Sequence, residues 1–205
     1  MKVAWLIDRH PATWREATRH PFLEGVAHGA LPVEAFERWL AQDYLFVQDL
    51  LAAQARLLAR APRPAQAVLA AGLVALEAEL GWFEGQAQER GLALDVARHP
   101  AALAYRDFLM GLEQREYPAA LTALWALERA YLDAWSSAAP GQAAYQEFVE
   151  HWTAPAFEEY VAGLERAADE SLAAGNADEQ AEAAFNEVTR LERAFWEMAW
   201  PEVAQ

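Results

Sequence analysis

The stretch ERWLAQDYLFVQDL, residues 37–50, decides how the chain folds and raises its first chemical question. At about 100° per residue, Phe36, Trp39, Leu40, Val47 and Leu50 form one apolar stripe of a helix, with Asp43 in the middle of it. Asp49 faces the other way. A carboxylate at the centre of a core-facing stripe is costly unless it is paired, protonated or put to use.

Working outward, helix signals continue in both directions. Pro stands where a helix should begin in HPATWREA, HPFLEG, LPVEAF, HPAALAY, YPAALTA and APAFEE, and Gly29, Gly91 and Gly175 stand where helices should stop. The pattern predicts helices at 3–9, 11–19, 21–27, 32–60, 64–90, 100–115, 118–137, 142–152, 155–174 and 178–199. Val, Ile and Thr are sparse and no alternating pattern persists, so the expected fold class is all-α. No linker, low-complexity run or internal repeat divides the chain, and residues 1–205 are expected to form a single helical-bundle domain.

Composition narrows the function. The 205 residues are 55% hydrophobic, enough for a substantial core, and nine Trp, nine Phe and six Tyr could wall a cavity for a flat ligand, although core packing is their commoner role. A net charge of −15 argues against nonspecific binding to nucleic acid or anionic membrane surfaces. The absence of Cys removes disulfides, thiolate metal sites and thiol nucleophiles. The N-terminal apolar run is too short for a signal peptide, and no run elsewhere is read as approaching membrane-spanning length, so a cytoplasmic soluble protein is expected.

Asp43 has counterparts on two other helices. Leu121, Leu124, Trp125, Tyr131, Leu132 and Trp135 define a stripe with Glu128 at its centre. Phe185, Val188, Phe195, Trp196 and Ala199 define another around Glu192. Each of the three acids lies seven residues after an apolar stripe member and is followed by an aromatic at +3 or +4. If they converge in one cavity, repulsion and poor solvation should raise at least one pKa toward neutrality, giving an acid and a base at one pH. The alternative is structural: each pairs with Arg, caps a helix or reaches solvent. Arg38, Arg129 and Arg193 are near in sequence but project off the stripes. A carboxylate-bridged metal pair would want Glu-x-x-His on two helices, and none occurs, so no metal is expected. His10, His20 and His99 precede prolines as caps or surface residues, and His151 is read as facing away from Phe148 and Trp152.

Two motifs carry a family resemblance. HPFLEGVAHGALPVEAFERWLAQDYLFV resembles the N-terminal signature of the TenA family, the thiaminase II group, and LERAFWEMAW resembles its closing motif. The similarity runs essentially the full length. It implies the haem-oxygenase-like helical fold, a homodimer or homotetramer, no cofactor, and action on the pyrimidine half of thiamin and its breakdown products. By position, Asp43 would hydrogen-bond the aminopyrimidine, Phe46 would stack on it, Tyr105 and Tyr131 would be pocket tyrosines, and Glu192 would be the catalytic acid. Where the main branch carries a nucleophilic Cys, this chain reads LWALERAY, with Leu127 or Glu128 in its place depending on a one-residue register choice. A pocket Tyr is replaced by Val149.

The chain thus looks like the Cys-lacking branch, for which hydrolysis of aminomethyl- or formylaminomethyl-pyrimidine is implied rather than efficient thiamin cleavage. The expected catalytic pair is Glu128 and Glu192. A noncatalytic pyrimidine-binding or regulatory protein is the alternative: a binder needs one hydrogen-bonding carboxylate, whereas hydrolysis needs an acid and a base.

Overall fold

A computed structural model describes residues 1–175 and 177–200. They form ten α-helices: α1 Trp5–Arg9, α2 Pro11–Thr18, α3 Pro21–His28, α4 Val33–Ala59, α5 Arg63–Arg90, α6 Pro100–Gly111, α7 Tyr117–Ala138, α8 Gln146–Trp152, α9 Pro155–Ala173 and α10 Asp178–Ala199. No strand occurs among them. The punctuation read from the sequence operates as expected. Pro21 and Pro100 open α3 and α6, each behind a histidine whose ring nitrogen accepts a free backbone N–H, from Phe22 to His20 and from Ala101 to His99. Gly29 and Gly91 end α3 and α5 in the left-handed region, at φ 71° and 67°.

Two boundaries differ from the expected ones by more than two residues. The helix expected to run to residue 115 leaves α geometry at Gly111 and tightens into a 3-10 turn, Leu112–Gln114. Arg60 donates to the carbonyls of Leu112, Glu113 and Arg115, satisfying acceptors that a continuing helix would have used internally. The helix expected from residue 142 starts at Gln146, because the Gln142 N–H donates instead to the Val26 carbonyl.

The central element is α7. Every residue from Ala119 to Glu128 is buried, as expected of a helix packed on all sides, and its alanines allow close approach by neighbours. Helices α4, α9 and α10 pack around it, and α5 lies along α4 and α9. Gly72 makes the α5 crossing possible: a Cβ there would meet Gln54 Nε2 and Tyr160 Oη. Tyr160 is part of the wall described below.

Helix α5 corrects one expectation. By length and composition it is apolar enough to cross a membrane, yet only 22% of its most apolar stretch is buried. Six alanines between Ala65 and Ala78 account for this apolarity without offering large side chains to the core. Val74, 71% exposed, lies on its outer face.

Candidate active site

Asp43 on α4, Glu128 on α7 and Glu192 on α10 are 1%, 6% and 3% exposed, and all three line one chamber in the bundle. Among the described residues none pairs with a cation. Arg38 donates to the Met198 carbonyl, Arg129 pairs with Asp133 and Glu165, and Arg193 pairs with Glu16 and Glu197. Asp49, on the opposite face from Asp43, is held by Arg98 at 3.0 Å. The contrast separates a structural carboxylate from ones left to face a cavity.

Tyrosines orient two of the acids. Tyr131 donates to Asp43 Oδ2 at 2.5 Å, and among the described residues Asp43 Oδ1 has no hydrogen-bond partner. An orphan carboxylate oxygen this deep is unfavourable in the free protein and ready for a ligand donor. Tyr105 donates to Glu192 Oε1 at 2.5 Å. Tyr105 differs from the pocket-lining position the resemblance implies: it stands behind Glu192 and is absent from the chamber wall. Phe46 and Tyr131 do line the chamber. Phe46 is packed against Tyr105 at 4.7 Å between ring centroids, and Tyr131 lies parallel to Trp196 at 5.9 Å.

Burial dominates the electrostatics. It lifts the Glu192 carboxyl to about 8 against the opposing Tyr105 hydrogen bond, so this group is largely protonated at neutral pH. Burial also raises Asp43 well above the usual carboxylate range, aided by the charges of Glu79 and Glu192 and opposed by the Tyr131 hydroxyl. Glu128 is raised well above it too, first by burial and then by Glu79 and Glu192, with the Tyr160 hydroxyl opposing.

Sequence reasoning missed Glu79. It lines the chamber from α5, and its Oε1 accepts the Trp152 indole N–H at 2.7 Å. The same phasing test reaches it: Leu69, Leu76 and Phe83 recur every seven residues, and Glu79 sits three after Leu76 and four before Phe83. Alanine dominates the rest of α5 and hides that stripe.

His151 is a correction. It does not face away from the cavity: its ring lies parallel to Trp82 at 4.2 Å, its Nε2 is 3.5 Å from Glu79, and it lines a second chamber. One residue from Trp152 and three from Phe148, it falls on their flank rather than opposite them. The inner chamber encloses about 30 Å³ and the outer about 420 Å³; they share Leu76, Glu79, Glu128, Trp152 and Phe157. The inner volume suits one water-sized guest. A flat six-membered ring must therefore extend through the shared walls into the outer chamber.

The fold and this cavity define an all-α protein in which three buried carboxylates from three helices face one chamber. A model of the TENA/THI-4/PQQC family matches residues 7–202. The chain belongs to that family, and its fold is the haem-oxygenase-like helical fold. A TenA homologue from Pyrococcus furiosus superimposes with a TM-score of 0.92 at 33% identity, covering 98% of this chain and all of that one (100%). Among curated relatives, a probable bifunctional TENA-E protein of Glycine max is 31% identical, over 97% of this chain and 93% of its own length. The aminopyrimidine aminohydrolase of Halalkalibacterium halodurans is 26% identical, over 97% and 95%.

Proposed function

We propose that this chain is a C–N bond hydrolase of thiamin salvage, acting on aminomethyl- or formylaminomethyl-pyrimidine. The observation that supports it most directly is the convergence of Asp43, Glu128 and Glu192 on one cavity with no cation among its walls. Names of relatives point the same way, one of them an aminopyrimidine aminohydrolase.

In this reading Asp43, steadied by Tyr131, turns its free Oδ1 to the exocyclic amine of the pyrimidine, and Phe46 packs on the ring. Glu192 carries the proton to be delivered, and Glu128, whose carboxyl burial also raises, accepts one when ionised. A water gives its proton to Glu128 as its oxygen bonds to the methylene carbon. The C–N bond breaks, its electron pair leaves with nitrogen, and Glu192 supplies the proton that makes the amine a competent leaving group. The products are the hydroxymethyl-pyrimidine and ammonia. Tyr105 acts through Glu192, holding its carboxyl in one orientation.

Incubating the protein with formylaminomethyl-pyrimidine, aminomethyl-pyrimidine and thiamin, and following formate, ammonia and thiazole, tests the reading. Ammonia or formate release with little thiazole is expected; release of none of the three products sinks it. The rate should fall along an alkaline limb near pH 8 as Glu192 loses its proton. An alkaline limb that persists unchanged in Glu192→Gln would show that another group sets it.

The protein uses no cofactor in this scheme. Among the described residues no group of three or more His, Cys, Asp or Glu is arranged to hold a metal ion. Exhaustive chelation is expected to leave turnover intact; loss of activity that returns with added iron, manganese or zinc would overturn the scheme. We further propose that the protein works in the cytoplasm as a homodimer or homotetramer, which sedimentation velocity will decide.

A further inference from the structure

The outer chamber is larger than ammonia or formate requires. Its volume of about 420 Å³ is walled by Trp82, Trp152, Phe157 and Tyr160, and it meets the inner chamber at Glu79 and Glu128. Charge in this space is one-sided. Among the described residues no Lys or Arg lines either chamber, and the sole histidine there, His151, already has its Nε2 3.5 Å from Glu79. Glu79 is held in place by the Trp152 indole N–H on its Oε1. At the deep end, the unpartnered and buried Asp43 Oδ1 marks where a ligand's polar edge would anchor, so a molecule bound there projects its other end toward Glu79.

We propose that the part of the outer chamber beyond the pyrimidine ring is a subsite for a substituent on the reacting nitrogen, and that Glu79 makes it selective for neutral and cationic substituents over anionic ones. This rests on the hydrolase reading for the identity of the reacting atoms, and it extends the substrate class to secondary amines of the aminomethyl-pyrimidine type. Aromatic faces attract a cation and accept an apolar chain. A carboxylate or phosphate brought beside Glu79 meets like charge, and among the described residues no Lys or Arg in the chamber walls compensates. The bonds balance as for the simple amine: water's oxygen joins the methylene carbon, the C–N pair leaves with nitrogen, and the products are the hydroxymethyl-pyrimidine and the substituent's primary amine.

The test uses aminomethyl-pyrimidine carrying N-propyl, N-(2-aminoethyl) or N-carboxymethyl, three substituents of similar size. Turnover is measured on wild type and Glu79→Gln, and binding by calorimetry on Glu192→Gln with and without Glu79→Gln. The carboxymethyl compound is expected to trail the aminoethyl compound by at least about tenfold in both kcat/KM and Kd, and Glu79→Gln to shrink that ratio about fivefold. Equal handling of the three compounds, or a ratio untouched by Glu79→Gln, overturns the proposal. So does turnover of the unsubstituted amine with no binding of the substituted ones. If the binding order holds while no compound, unsubstituted amine included, is hydrolysed, the subsite stands and the hydrolase reading falls. Should Glu79→Gln not fold, the wild-type ratio still decides, and Glu79→Asp, which withdraws the carboxylate by one methylene, replaces it.

Discussion

Glu192→Gln is expected to lower turnover of aminomethyl-pyrimidine on the order of 10²–10⁴-fold, the usual worth of a positioned general acid. The amide keeps the shape of the side chain and an oxygen for the Tyr105 hydroxyl, which donates to Oε1 in the wild type. What it lacks is the transferable proton. Affinity for the pyrimidine should change far less, because Asp43 and Phe46 carry recognition in this scheme.

Stability should move in the opposite direction, and its pH dependence is a separate check. With its carboxyl at about 8, folded Glu192 keeps a proton that the unfolded chain releases from about 4.5 upward. Stability from this group is therefore intact below pH 4.5 and is lost progressively as pH rises through 8, on the order of 5 kcal/mol in total. Gln has no such titration. Its gain over wild type should reach about 1–3 kcal/mol at pH 8, part of the benefit being offset by burying the amide, and should vanish near pH 4.5. A variant that melts like wild type at every pH and turns over within about threefold of it, far short of the loss expected for a general acid, would make Glu192 structural and move the acid to Glu128. A wild type that binds the pyrimidine without turning it over would favour the noncatalytic alternative.

Helical phasing alone found Asp43, Glu128 and Glu192 because each interrupts a stripe of large side chains, and a charge in such a place has few structural uses. The helix boundaries were equally legible, since Pro21, Pro100, Gly29 and Gly91 act through their own backbone geometry. Information that depends on a neighbouring helix was not. Gln142 leaves the expected helix for a carbonyl on α3, and Arg60 reaches carbonyls beyond the end of α6. Glu79 was hidden by an alanine-rich helix whose burial is set by α4 and α9 rather than by its own pattern. The division into two chambers comes from six helices meeting, and no single stripe encodes it.

Asp43→Asn is expected to weaken pyrimidine binding about 10–100-fold while changing kcat much less, since hydrogen bonds to charged groups contribute about 1.5–3 kcal/mol. Asp43 presents two oxygens with separate duties. Oδ2 accepts from Tyr131 at 2.5 Å, and Oδ1, buried and without a partner among the described residues, is the one oxygen free for a ligand donor. In the variant with the amide oxygen kept on the Tyr131 hydroxyl, which donates to Oδ2 in the wild type, the amide nitrogen takes the place of Oδ1. A donor then faces the exocyclic amine of the pyrimidine, itself a donor, and neither group is satisfied in a space with little water. The fold should survive, because the shape is unchanged and a carboxylate whose burial raises its pKa has been replaced by a neutral group. Tyr131→Phe should shift affinity in the same direction by about tenfold or less, since it frees Asp43 to rotate without removing the acceptor. Calorimetry with aminomethyl-pyrimidine on an inactive Glu192→Gln background isolates binding from turnover. Unchanged affinity in Asp43→Asn would mean that the free oxygen does not meet the ligand amine. A loss confined to kcat would instead place Asp43 in the proton-transfer step, beside Glu128 and Glu192.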